Sequence, residues 1–210
     1  MNQEVRRKRV PAMAPEARRA ALVDATVPLL LEHGLEISTR QIAQAAGVAE
    51  GTIFGVFSDK NSLLVTALAS ALDPRPTLDG IAAIDPRLDL RSRLVTAAGL
   101  INQRFTGNAQ LIAAARKLAL SHDADPEVRR RMAESRDALL AALTAIIEPD
   151  AGRLRHSPAA TAGLMLVFCA SATHGPFGYP DRFDAAELVS LLLDGLLIRN
   201  DDCHGGAVRC

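Results

Sequence analysis

Apolar residues along the chain recur at helical spacing, and no run alternates apolar with polar positions in the way a half-buried strand would. Leu22, Ala25, Leu29 and Leu30 predict a first helix over about 15–33, stopped by Gly34. Pro28 lies inside it and predicts a kink. The stretch Ser38 to Phe57 then reads as two short helices joined by a tight turn, a helix-turn-helix. Ser38 and Gln41 have the S-x-x-Q spacing of a capping box. Gly47 sits in the turn, where a positive φ is cheap only without a Cβ. Ala43 is placed where the two helices cross closely, and Ile42, Ala46, Val48, Ile53 and Val56 face inward.

A fourth helix begins near Asp59 or Lys60 on Leu63, Leu64, Ala67, Leu68 and Leu72. Pro74, Pro76 and Pro86 make 73–86 a helix-breaking boundary with room for a short helical piece over 78–84. Beyond it the pattern is helical again. Leu94, Ala98, Ile101 and Phe105 define a helix over 87–106, and Leu111, Ala115 and Leu118 one over 108–121. Asp125-Pro126 starts another that runs to about Ile147, and Ser157-Pro158 starts one over 158–173. Leu188, Leu191, Leu192, Leu196 and Leu197 carry the last, over 184–198. The fold class is therefore all-α, with about nine helices and no internal repeat. It divides into a basic arm expected to be disordered (1–14), a helix-turn-helix head (16–76), a larger helical domain (77–198) and a frayed tail (199–210).

Composition sharpens this in three places. The formal net charge is zero, so global charge does not mark a polyanionic partner, but residues 1–19 hold six Arg/Lys against two Glu. The cluster Arg6–Arg9 reads equally as an arm that touches DNA phosphates and as a solvated tail. Cys169, Cys203 and Cys210 do not make a disulfide framework, and Cys169 lies in an apolar run that predicts a reduced, buried thiol. The longest apolar run, Ala159 to Ala172, is too short to span a bilayer, so no membrane association is expected and the protein reads as soluble and cytoplasmic.

The histidines His33, His122, His156, His174 and His204 fall at helix ends, in loops or in the tail and form no metal-ligand pair. With neither a G-x-S-x-G nor a P-loop, nothing points to an enzyme, a bound metal or a cofactor.

Thr39, Ile42, Ala43, Ala46-Gly47-Val48, Gly51-Thr52-Ile53-Phe54, Phe57 and Lys60 stand at the spacing T-x-x-x-I-A-x-x-A-G-V-x-x-G-T-[LI]-[YF]-x-x-F-x-x-K. In this the head resembles the tetracycline-repressor (TetR) family of bacterial transcription regulators, over about residues 16–76. The resemblance implies that Thr39 caps the first helix of the motif and donates to a phosphate, and that Lys60 meets a phosphate at the next helix N-terminus. Arg40 can add a further backbone contact. Ala49, Glu50, Gly51, Thr52, Phe54 and Gly55 would then face the major groove, with Glu50 able to accept from a cytosine amino group or simply to favour the helix dipole. Gly55 and Val56 depart from the family's polar and aromatic positions and thin the outward face.

The resemblance further implies a homodimer through helices 158–173 and 184–198 on double-stranded operator DNA, and an unidentified small-molecule effector, apolar or amphipathic. Leu94, Ile101, Asn102, Phe105, Met132, Ser135, Met165 and His174 are the candidate ligand residues, although each polar one can equally be a satisfied core group. The function expected is a sequence-specific repressor released from its operator by the ligand. The alternative is a helical ligand-binding or interaction protein with weakened DNA binding.

Overall fold

The computed structural model describes residues 14–121, 126–171 and 184–196, and these form ten α-helices. The head holds α1 (Pro15–His33), α2 (Thr39–Ala45), α3 (Gly51–Phe54) and α4 (Lys60–Ala71). The remainder comprises α5 (Arg75–Ala82), α6 (Leu90–Gly107), α7 (Ala109–Leu120), α8 (Pro126–Ile147), α9 (Pro158–Ser171) and α10 (Ala185–Leu196). The basic cluster Arg6–Arg9, His174 and the tail lie outside the described residues.

Helix α1 has the expected bounds and continues through Pro28, which stays exposed. It stops at Gly34, whose φ of 61° and ψ of −142° suit glycine almost alone. Its buried face is Leu22, Val23, Thr26 and Leu30, with Ala25 and Leu29 only half-buried. The Thr26 hydroxyl is kept satisfied there by donating to the Leu22 carbonyl at 2.7 Å.

The short helical piece in the proline-rich segment is corrected. Residues Arg75–Ala82 form α5, earlier than the predicted 78–84. Pro74 is its N-cap and Pro76 lies in its first turn, where a missing N–H costs nothing because that group has no helical partner. The Asp73 carboxylate anchors the start by accepting from the Arg75 backbone N–H at 3.0 Å and its Nε at 2.6 Å. Gly80 lets α5 lie close to α6, since a Cβ there would sit 3.1 Å from Leu100 Cδ1. Helix α6 starts at Leu90 rather than 87, because Asp89 caps it by accepting from the Ser92 N–H at 3.0 Å.

Two apolar clusters form the interior. One joins α1 to α4 with Leu111, Ala114, Ala115, Leu118 and Ala119 of α7 and Val128 of α8. The other joins α5, α6, α9 and α10 with Leu139, Leu143 and Ile147 of α8. The core of the head thus includes a helix from beyond the proline-rich segment. Helix α7 runs against α1, α4 and the turn Gly34–Glu36, and Lys117 Nζ approaches Glu36 Oε1 at 3.4 Å.

Candidate nucleic-acid interface

The motif is held by local chemistry that the sequence encodes. The Ser38 N–H donates to Gln41 Oε1 at 2.8 Å and the Gln41 N–H donates to Ser38 Oγ at 3.2 Å, which completes the capping box. After α2 the chain turns at Gly47, with φ 67°, and the Val48 N–H returns to the Ala43 carbonyl at 3.0 Å. Ile42, Ala43, Ile53 and Phe57 are buried beneath it, so α2 and α3 share one small floor. Arg19 of α1 braces the far end. Its guanidinium lies 4.3 Å from the Phe57 ring centroid and donates to the Val56 carbonyl at 3.3 Å and to Thr66 Oγ1 at 3.4 Å. Arg19 therefore belongs to the packing of the head and not to a free basic arm.

On this floor Arg40, Ala49, Glu50, Gly51, Phe54 and Gly55 are exposed, and Thr39 and Thr52 are half-buried. The ring of Phe54 is displayed at 57% exposure. Two predicted roles change. Thr39 does not cap α2, because Ser38 does; its hydroxyl donates to Glu50 Oε1 at 2.5 Å and so joins the start of α2 to the start of α3. Lys60 does not stand free over vacant amides. Its Nζ donates to the Leu35 carbonyl at 3.1 Å, and the Asp59 carboxylate already accepts from the Ser62 N–H at 2.7 Å as the cap of α4. Two of the three donors on the ammonium remain for a phosphate.

The candidate ligand residues separate into two groups. Leu94, Ile101 and Met165 are fully buried in the second cluster, with Phe105 half-buried at its edge. Met132 instead packs against the head cluster, one turn beyond Val128 on α8, so it does not share their surroundings. Ser135 is engaged, accepting from Arg104 Nη2 at 3.4 Å. Asn102 is half-buried, and its shielded Oδ1 has no hydrogen-bond partner among the described residues.

Sequence reading missed Arg104, the polar residue that ties this region to the head. Its Nη1 donates to the Asp73 carbonyl at 2.8 Å and its Nη2 to the Leu72 carbonyl at 2.6 Å, which satisfies the C-terminal end of α4. Burial pulls the guanidinium below its ordinary pKa, and the Asp73 charge opposes that. A charged residue beside Phe105 on an apolar-periodic helix was the available signal. A second missed pair, buried Arg93 of α6 with Asp150, pins the turn after α8, and Asp150 also accepts from Arg153 at 2.7 Å.

Helices α9 and α10 leave an apolar face uncovered. Leu164, Val167 and Phe168 of α9 are exposed, and so is Leu191 of α10. Ala162 of α9 is fully buried inside the chain and so faces away from this surface.

A short capped helix, a glycine turn and an exposed second helix on a three-helix floor define a helix-turn-helix protein with an appended all-helical domain. Residues 22–67 match the family model described as bacterial regulatory proteins, tetR family. The fold of the whole is similar to that of a Mesorhizobium loti protein assigned to the TetR-family transcriptional regulators (16% identity, 89% of this chain and 100% of that one, TM-score 0.66). It is also similar to a transcriptional regulator from Rhodococcus (22%, 89% and 100%, 0.60) and to the transcriptional regulator FadR from Bacillus subtilis in complex with stearoyl-CoA (18%, 83% and 95%, 0.56). Over residues 22–67 the head is thus similar by sequence to the TetR family, and the described helices share the fold of solved transcriptional regulators. No described helix is long and apolar enough to cross a membrane.

Proposed function

We propose that the protein is a dimeric, sequence-specific DNA-binding regulator, a repressor released from its operator by a small amphipathic ligand. The observation that carries this is the exposed face from Thr39 to Gly55, held on a floor fixed by the Ser38 capping box, Gly47 and the Arg19–Phe57 contact. One such face reads too few base pairs to specify a genomic site, and two-fold pairing supplies a second half-site. The apolar residues Leu164, Val167, Phe168 and Leu191 favour α9 and α10 as the pairing surface. The buried set Leu94, Ile101 and Met165 around α6 supports an apolar ligand portion. The stearoyl-CoA complex of the similar fold makes acyl thioesters the first compounds to try. Ligand binding would act by favouring one spacing of the two heads over another.

The deciding experiment is fluorescence anisotropy with duplexes from the region around the protein's own gene, at low salt and without ligand. A sequence-specific complex that dissociates on adding a ligand is expected. If every duplex binds equally or not at all, the second reading is favoured, a ligand-binding or interaction protein with a weakened head. A specific observation speaks for that alternative: α3 is only Gly51–Phe54, and the sole charge at its start is the acidic Glu50.

A further inference from the structure

We infer that Glu50 is a base-specificity residue, set by Thr39, that selects cytosine at one position of each operator half-site. This rests on the DNA-binding reading above and goes beyond it by naming the base and the side chains that choose it.

Glu50 is the N-cap residue of α3, yet its carboxylate makes no capping hydrogen bond to the amides of that helix. The carboxylate is turned toward α2, where Oε1 accepts the Thr39 hydroxyl at 2.5 Å. Capping the amides of α3 therefore does not account for the direction in which it is held. The bond fixes one oxygen and leaves Oε2 as an exposed acceptor with no hydrogen bond among the described residues. It also uses up the Thr39 hydroxyl hydrogen, so Thr39 acts on Glu50 and not on a phosphate. From Ala49 to Gly55 no other side chain is charged. A carboxylate repels the phosphate backbone, so this end of α3 meets DNA favourably only at a base edge that offers a donor.

The chemistry of the groove then ranks the bases. Guanine presents two acceptors in the major groove and thymine presents an acceptor and a methyl, so both repel or exclude a carboxylate. Adenine offers its N6 amino group, but the adjacent N7 is an acceptor that opposes the second oxygen. Cytosine offers its N4 amino group beside a C–H and carries no major-groove acceptor of its own. Cytosine is therefore preferred, adenine second, and the other two rejected.

The test is selection from a random-sequence duplex pool by the full-length protein, with the wild type beside Glu50→Gln, Glu50→Ala and Thr39→Val. Affinities for single-base variants of the winning site are then measured. Glu50 is exposed, which keeps its substitutions clear of the core. The wild type is expected to enrich one cytosine per half-site, with a loss of roughly tenfold on changing it to thymine or guanine. Glu50→Gln moves that position alone to adenine, because an amide pairs with both N6 and N7. Glu50→Ala removes discrimination there, and Thr39→Val keeps cytosine but narrows its margin several-fold. Unchanged preferences in Glu50→Gln and Glu50→Ala would overturn the assignment of Glu50 to a base, and an unchanged margin in Thr39→Val would overturn the positioning role. Enrichment of no sequence even by the wild type would overturn the DNA-binding reading itself, and this inference with it.

Discussion

Replacing Arg104 by Met keeps much of the side-chain length and removes the guanidinium that holds α6 to the end of α4. Two hydrogen bonds from a charged donor are lost, to the Leu72 carbonyl at 2.6 Å and the Asp73 carbonyl at 2.8 Å. Bonds of this kind contribute about 1.5–3 kcal/mol each. Water can reach half-buried carbonyls, and releasing the guanidinium from its buried position returns part of its desolvation cost. The third contact, to Ser135 Oγ at 3.4 Å, is too long to add much. The net cost is about 2 kcal/mol, or about 4–8 °C in Tm for a chain of this size. Urea unfolding followed by circular dichroism measures it at fixed protein concentration. The same variant is expected to bind operator with near-normal affinity while responding less to ligand, because α4 ends in the head and Arg104 is its polar tie to α6 and α8. A urea midpoint unchanged within error would show that solvent replaces both bonds, and a normal ligand response would remove Arg104 from the coupling.

Other substitutions test the remaining supports. Gly34→Ala should destabilise by about 2–3 kcal/mol and Gly47→Ala by about 1 kcal/mol, although neither Cβ would meet an atom within 4 Å; equal values would refute the backbone explanation. Phe168→Glu places a charge on the exposed α9 patch and should give monomers in sedimentation, with operator binding lost; an intact dimer would exclude that face. Arg130 and Arg131, by hydrogen bonding, hold the Glu127 carboxyl down to about 2. A lowered value means that its small contribution is complete above the ordinary carboxylate range and is lost as pH falls through about 2. An NMR titration should place the midpoint there, and Arg130→Ala should raise it. Burial pushes the Cys169 thiol up to about 12, so alkylation at pH 8 should spare the peptide containing it until urea is added.

The parts of the fold that were legible depend on residues acting over one or two turns. Gly47 and the Ser38–Gln41 spacing determine the motif locally, and the apolar stripes of α1 and α4 needed no knowledge of their partners. Helix α5 was misplaced because proline reads as a breaker unless its position relative to the helix start is known, and Asp73 reveals that position only once its bonds to Arg75 are seen. The outward residues were legible as exposed but not in their roles. Thr39 and Glu50 stand eleven positions apart, and their bond follows from the turn geometry and not from either residue type. Lys60 and Leu35 illustrate the same limit across twenty-five positions.

The sharing of α7 bears on how a ligand signal would reach the head. If α4 were the sole connection, a shift in the larger helical part would need to move one helix end. Leu111, Ala115 and Leu118 instead pack in the cluster with Leu22, Leu30, Leu64 and Leu68, and Asn108 both ends α6 and begins α7. A displacement of α6 is therefore delivered to the head at two places, through Arg104 to the end of α4 and through Asn108 to α7. Close-packed cores resist being deformed on one side alone, so the two inputs favour rotation of the head as a unit over bending within it. On this account Arg104→Met reduces the ligand response without abolishing it, and a loss complete to the detection limit would mean that α7 carries no share.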